Sequence, residues 1–72
     1  MKNIFIRTDY LELKNLLKMT NTIQTGGGAK YYLQENYVLV NGEKDNRRGR
    51  KLYPGDQVEI GGKIYLICKN VG

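Results

Sequence analysis

The sequence contains no histidine and no tryptophan, and it has one cysteine and one proline. Histidine is the commonest general acid or base in enzymes, and histidine with paired cysteines supplies most zinc ligands. The seven carboxylates fall mostly at expected helix caps, turns and surface positions. We therefore expect no catalytic activity, no metal site, no cofactor and no small-molecule substrate.

Long apolar runs are also missing, which argues against a membrane-spanning segment and against a signal peptide. The single Cys68 cannot form an internal disulfide, and its position in the apolar stretch IYLIC predicts that it packs in the core. Such cysteine usage is typical of a reducing compartment. A chain of 72 residues has room for one small core, so we expect one domain, residues 1–72, in the cytoplasm.

Acidic residues are few beside the basic ones: seven against twelve, with a net charge of +5. Five of the twelve cations lie between Lys44 and Lys51, where Asp45 is the only carboxylate, so we expect these cations to find few partners within the chain. Three of the five are arginine, whose planar guanidinium matches pairs of phosphate oxygens. This concentration of positive charge indicates a polyanionic partner.

The first third of the sequence predicts a strand at residues 3–6 and a helix that ends near Met19. Thr8 or Asp9 would cap this helix, since Asp9 and Glu12 have the spacing of a capping box. Residues at spacings of three and four would form its apolar face: Tyr10, Leu13, Leu16 and Leu17.

A connector, residues 20–28, precedes the second predicted helix, and Ile23 within it should enter the core. Thr25 would cap this helix, and Asn36 would end it in the left-handed conformation. Its buried stripe would consist of Ala29, Tyr32 and Leu33.

The remainder of the sequence predicts short strands joined by tight turns. Strands are expected at residues 38–40, 57–60 and 63–68, with turns at Asn41-Gly42, Pro54-Gly55 and Gly61-Gly62. The fold class is therefore α+β, with two helices packed on a small, largely antiparallel sheet.

The stretch TGGGAK, residues 25–30, has glycines that open a helix, as in phosphate-binding turns. It lacks the spacing and the preceding strand of a Walker P-loop. Two interpretations remain open, a flexible turn or a contact to one backbone phosphate of a larger ligand. Four tyrosines could stack on unpaired bases: Tyr31, Tyr32, Tyr37 and Tyr53. Tyr31 and Tyr37 are the better candidates for exposure, whereas Tyr32 falls on the predicted core stripe.

The order of these signals resembles the S4 RNA-binding domain along the whole chain. The resemblance rests on Arg7-Thr8-Asp9, on Thr25 with Ala29-Lys30, on Val38-x-Val40-Asn41-Gly42, and on Lys51-Leu52-x-Pro54-Gly55-Asp56-x-Val58. The sequence is most similar to the small free-standing bacterial S4 proteins of the YaaA type, in which TGG-x-AK and NRRGRKL-x-PGD stretches accompany the S4 pattern.

This resemblance implies the S4-like (αL) fold and a surface for structured RNA. The sequence departs from the common S4 pattern at Gly26, where many members have an arginine, and at Asn36, where many have a glycine. The RNA-binding residues that we expect from the resemblance and the charge cluster together are Arg7, Thr25, Gly26, Gly27, Lys30, Asn41, Lys44, Arg47, Arg48, Arg50 and Lys51.

The sequence hypothesis is a monomeric, non-catalytic protein that binds folded RNA, expected to be ribosomal RNA, between the basic segment and the start of the second helix. Its role would lie in ribosome assembly or translation. Two alternatives stay open, a duplex-DNA binder and a protein-interaction module that docks on an acidic surface of a larger complex. The resemblance disfavours an RNA-modifying enzyme, in which an S4 domain accompanies a separate catalytic domain.

Overall fold

The computed structural model describes residues 1–25 and 27–70, and within these ranges it contains two helices and seven strands. Five strands form one sheet in the order β1-β7-β6-β3-β4, in which only the β1–β7 pair is parallel, and β2 and β5 form a separate antiparallel ribbon. The predicted α+β class, two helices on a largely antiparallel sheet, is confirmed. The elements are β1 (Lys2–Ile6), β2 (Leu11–Glu12), α1 (Leu13–Met19), α2 (Gly28–Glu35), β3 (Val38–Val40), β4 (Glu43–Asp45), β5 (Lys51–Leu52), β6 (Gln57–Ile60) and β7 (Lys63–Lys69).

The core lies between the helices and one face of the sheet. Side chains alternate along each strand, so that β1 buries Ile4 and Ile6 while Phe5 between them is exposed. Ile23 in the connector is buried, as predicted. The helices contribute Leu13, Leu16 and Leu17 from α1 and Ala29 and Leu33 from α2, with Tyr32 partly buried against them.

Helix α1 begins differently from the prediction. Pairing of β2 with β5 keeps the chain extended through Glu12, so Asp9 lies outside the helix and the predicted capping box is wrong. Tyr10 likewise precedes the helix and is exposed instead of buried. The first helical N–H groups are satisfied by a remote segment: Leu13 donates to the carbonyl of Arg50 and Lys14 to that of Arg48, both at 2.9 Å.

Helix α2 also departs from the predicted caps. Gly27 occupies the cap position, and Thr25 contributes its backbone carbonyl, which accepts from the Gly28 N–H at 3.0 Å, instead of its hydroxyl. Asn36 is extended (φ −133°) and not left-handed. Its side-chain amide donates to the Tyr32 carbonyl, so the helix end is satisfied without the left-handed turn.

The predicted turns are confirmed, and two of them are joined. Asn41 and Gly42 both have positive φ, as a tight hairpin between β3 and β4 requires. The Asn41 side chain donates to Asp56 at 3.0 Å and accepts from the Gln57 N–H at 2.9 Å, while Asp56 also accepts from the Tyr53 N–H. These contacts tie the VNG turn to the PGD turn.

Cys68 is partly buried and not a core residue, which corrects the sequence prediction. It lies on β7 between the buried Ile67 and the exposed Lys69. No helix in the described part of the chain is long and apolar enough to cross a membrane.

Candidate nucleic-acid interface

Residues 46–50, which we call the basic loop, connect β4 to β5 and are held by their backbone. The Arg50 N–H donates to the Arg47 carbonyl at 3.1 Å, which closes a turn. The Arg48 and Arg50 carbonyls accept the first N–H groups of α1. These backbone contacts fasten the loop to the start of α1.

Asp45, at the end of β4, organises two of the arginines. Its register opposite the buried Val38 turns it toward the inner side of the sheet, and only 6% of its side chain is exposed. It accepts from the Arg47 backbone N–H at 2.8 Å, from Arg47 Nε at 3.1 Å and Nη2 at 2.8 Å, and from Arg50 Nη1 at 2.8 Å. The buried carboxylate is thus fully hydrogen-bonded.

These contacts correct the expectation that the basic cluster finds few partners within the chain. Arg47 and Arg50 are both paired with Asp45. The side-chain hydrogen bonds of Arg47 hold the pKa of Asp45 well below its usual range, against the opposing effect of burial. The same hydrogen bonds raise the pKa of Arg47.

Pairing does not remove Arg47 from the surface. Its side chain is 69% exposed, and its contacts to Asp45 use Nε and Nη2. A guanidinium has five N–H donors, so the others remain directed away from Asp45. The carboxylate therefore fixes the orientation of the guanidinium while leaving donors for an external anion.

A groove separates the basic loop from α2. Lys30, Leu33 and Gln34 of α2 form one wall, and residues 46–49 form the other. Lys30 thus shares the groove with Arg47 and Arg48, which the sequence places far apart. None of the ion pairs within residues 1–25 and 27–70 includes Lys30 or Arg48.

Two further cations of the cluster rest on exposed aromatic rings. Lys44 Nζ lies 4.7 Å from the centroid of the Tyr37 ring, and Lys51 Nζ lies 5.0 Å from that of Tyr10. Cation–π contacts of this kind restrict a lysine without neutralising its charge. Tyr37 is exposed, as is Tyr31, which confirms the sequence prediction for both rings.

The remaining predicted RNA-binding residues lie outside the walls of the groove. Arg7 follows β1, and its carbonyl accepts from Lys69 Nζ at 3.3 Å. Neither Arg7 nor Asn41 is among the groove-lining residues of the described chain. Thr25 and Gly27 lie at the start of α2, whereas Gly26 is outside the described residues.

Sequence reasoning missed the role of Asp45 and the contributions of Gln34 and Asn46 to the groove. A signal for Asp45 was present, since it is a lone carboxylate two and five residues before arginines in a basic segment. Gln34 and Asn46 carry no comparable signal. In the part of the chain that the structure covers, no cluster of three metal-ligating side chains is found.

Comparison with known proteins identifies the family of this chain. The family model of the S4 domain matches residues 4–68. The chain is also similar to a protein of Bacillus subtilis (strain 168) named "Probable ribosome maturation protein RlbA", with 58% identity over 59 residues, which is 82% of this chain and 83% of that relative. Both findings confirm the resemblance of the sequence motifs, and the chain belongs to the S4 domain family of RNA-binding proteins.

Proposed function

We propose that this protein binds folded ribosomal RNA during ribosome maturation, as a cytoplasmic monomer and without catalysing a reaction. The observation that carries the proposal is the groove in which Lys30 of α2 meets Arg47 and Arg48 of the basic loop. Membership of the S4 family supports RNA as the ligand. The name of the Bacillus subtilis relative supports ribosome maturation as the setting.

The two walls of the groove suit phosphate backbones in different ways. Lys30 and Arg48, which are outside the ion pairs of the described chain, offer charges that an RNA phosphate can neutralise. Arg47 offers a guanidinium already oriented by Asp45, which suits two-point contact with phosphate oxygens. The loop and the helix would thus grip adjacent stretches of backbone.

The start of α2 adds to the positive field. Its first turn contains no acidic residue, so the positive end of the helix dipole is not offset there. Thr25 and Gly27 lie at this end of the helix, so their backbone atoms would be near a phosphate that approaches it. We keep both as proposed RNA contacts, together with Lys44, Arg50 and Lys51 of the charge cluster.

Recognition by this surface should depend on RNA shape more than on base sequence. An A-form helix hides its major-groove base edges from side chains, and a short basic loop mainly reaches phosphates. Neutralisation of roughly three to five phosphates would give a slope of roughly −2 to −4.5 for the logarithm of affinity against the logarithm of salt concentration.

The test is a titration of ribosomal RNA into the protein over a range of salt concentrations, with duplex DNA of equal length as competitor. We expect the salt slope given above and displacement by RNA but not by DNA. A flat salt response would contradict the proposal. Equal competition by DNA would favour the duplex-DNA alternative, and cellular association that survives nuclease treatment would favour a protein partner.

A further inference from the structure

Two tyrosines meet on the outer side of the β2–β5 ribbon. The register pairs Leu11 with Leu52, which puts Tyr10 and Tyr53 opposite each other just beyond the paired residues. Their ring centroids are 5.9 Å apart and the ring planes are inclined by 52°. Inclined rings do not cover each other's faces, and Tyr10 and Tyr53 remain 38% and 48% exposed.

Lys51 completes this surface, which we call the tyrosine platform: Tyr10, Tyr53 and Lys51. Its ammonium group lies 5.0 Å from the Tyr10 ring centroid. Leu52, between Lys51 and Tyr53, is fully buried, so alternation along the strand places Lys51 and Tyr53 on the same outward side. The platform therefore joins two exposed aromatic rings to one cation.

Carboxylates near the platform are engaged by other groups. Glu12 forms an ion pair with Lys14 at 3.3 Å, and Asp9 lies 3.6 Å from Lys69 Nζ. Asp56 accepts hydrogen bonds from the Asn41 side chain and the Tyr53 N–H. These contacts reduce the repulsion that a phosphate would otherwise meet beside the rings.

The platform is directly connected to the basic loop. Lys51 follows Arg50 directly, and the Arg50 carbonyl is bound to the first turn of α1, which itself follows β2. The tyrosine platform therefore begins at Lys51, where the basic loop ends. Exposed aromatic rings beside a basic surface are the usual means of holding unpaired bases.

We propose that the tyrosine platform stacks an unpaired RNA base next to the backbone that is gripped in the groove. This inference rests on the proposed function and extends it from phosphate contacts to a base contact. The exposed Tyr53 ring receives the base, Tyr10 borders it, and Lys51 contacts the adjoining phosphate. Stacking accepts any base, so the platform selects unpaired over paired nucleotides without reading sequence.

The experiment compares two RNAs: a duplex with a short single-stranded overhang and the same duplex with an abasic overhang. Both overhangs carry the same phosphates, so only the bases differ. We expect the protein to bind the overhang with bases about 5- to 150-fold more tightly, the range that stacking of one base supplies. Tyr53→Leu and Tyr10→Leu should shrink this difference, whereas Tyr53→Phe, the matched control, should keep it.

A second measurement does not depend on the variants folding. In the unaltered protein, the NMR signals of the Tyr10 and Tyr53 ring protons should shift on binding the overhang with bases and not on binding the abasic one. Equal affinity for both RNAs, or unshifted ring signals, would overturn the stacking inference while leaving the proposed function intact. Failure to bind either RNA would instead count against the proposed function.

Discussion

The buried carboxylate of Asp45 accepts a two-point hydrogen bond from the guanidinium of Arg47, at 3.1 Å from Nε and 2.8 Å from Nη2. Arg47 is therefore part of the scaffold and part of the surface at once. Arg50, at the other end of the loop, donates to the same carboxylate. A segment that looks uniformly basic in the sequence thus contains two arginines with an internal partner and one, Arg48, outside the ion pairs of the described chain.

Replacing Asp45 with asparagine should weaken RNA binding although it makes the protein more positive. The variant keeps the shape of the side chain but loses the charge that orients Arg47 and Arg50. We expect the free energy of unfolding to fall by about 1.5 to 3 kcal/mol, the usual contribution of a hydrogen bond to a charged group. Denaturant unfolding and RNA titration measure the two effects. Tighter RNA binding by Asp45→Asn would show that charge alone matters.

Stability should depend on the ionisation of Asp45 at acidic pH. Its folded-state pKa is depressed, chiefly by the side-chain hydrogen bonds of Arg47, whereas an unfolded aspartate has a pKa of about 3.9. The stabilisation is therefore present above the unfolded pKa and is lost as the pH falls through the folded one. The gap in unfolding free energy between the protein and Asp45→Asn should be constant above about pH 5 and should narrow below about pH 4.

The gap in unfolding free energy is measured from unfolding curves of the protein and of Asp45→Asn across that pH range. Other carboxylates are common to the two proteins, so their titration cancels in the comparison. A gap that stays constant to the lowest pH would mean that Asp45 is not ionised with a depressed pKa in the folded protein.

Reversing the charge of Arg50 and of Arg48 should have different effects on folding. Arg50→Glu places a second carboxylate beside the buried Asp45, and we expect a loss of about 1 to 3 kcal/mol in unfolding free energy. Within the described residues Arg48 forms no ion pair, and its contact with the scaffold is made by the backbone carbonyl, which Arg48→Glu keeps. The cost of this substitution should therefore stay within about 0.5 kcal/mol. Thermal unfolding of the two variants measures this difference. Equal losses of stability would contradict the distinction between Arg50, which is paired with Asp45, and Arg48.

Local signals predicted the three tight turns and the β6–β7 hairpin correctly, but not strand β4. Asn41-Gly42 forms its turn because both residues tolerate positive φ, and this requires nothing from the rest of the chain. The buried faces of both helices also followed from spacing, with two exceptions. The ribbon holds Tyr10 outside α1, and Tyr32 on α2 is only partly buried.

Non-local contacts explain the errors. The N–H groups of Leu13 and Lys14 could have used a nearby side-chain cap, but the fold brings the carbonyls of the basic loop to them. The same loop conformation brings the Arg50 guanidinium into contact with the Asp45 carboxylate. Spacing in the sequence carries no information about either contact. The groove between Lys30 and Arg48 is likewise a product of tertiary packing. The sequence analysis predicted both residues as RNA contacts but not that they share a groove.

RNA should bind in the groove between α2 and the basic loop. Arg48→Glu and Lys63→Glu test it as a matched pair, since both change the net charge by the same amount at exposed positions, and Lys63 lines a different surface depression with Lys2 and Met19. The measurement is the affinity of each variant for ribosomal RNA at one fixed salt concentration. We predict that Arg48→Glu loses at least about tenfold more affinity than Lys63→Glu, as expected for a charge-assisted contact made at one site. Equal losses in the two variants would contradict the claim, because they would show that the RNA responds only to the net charge of the protein.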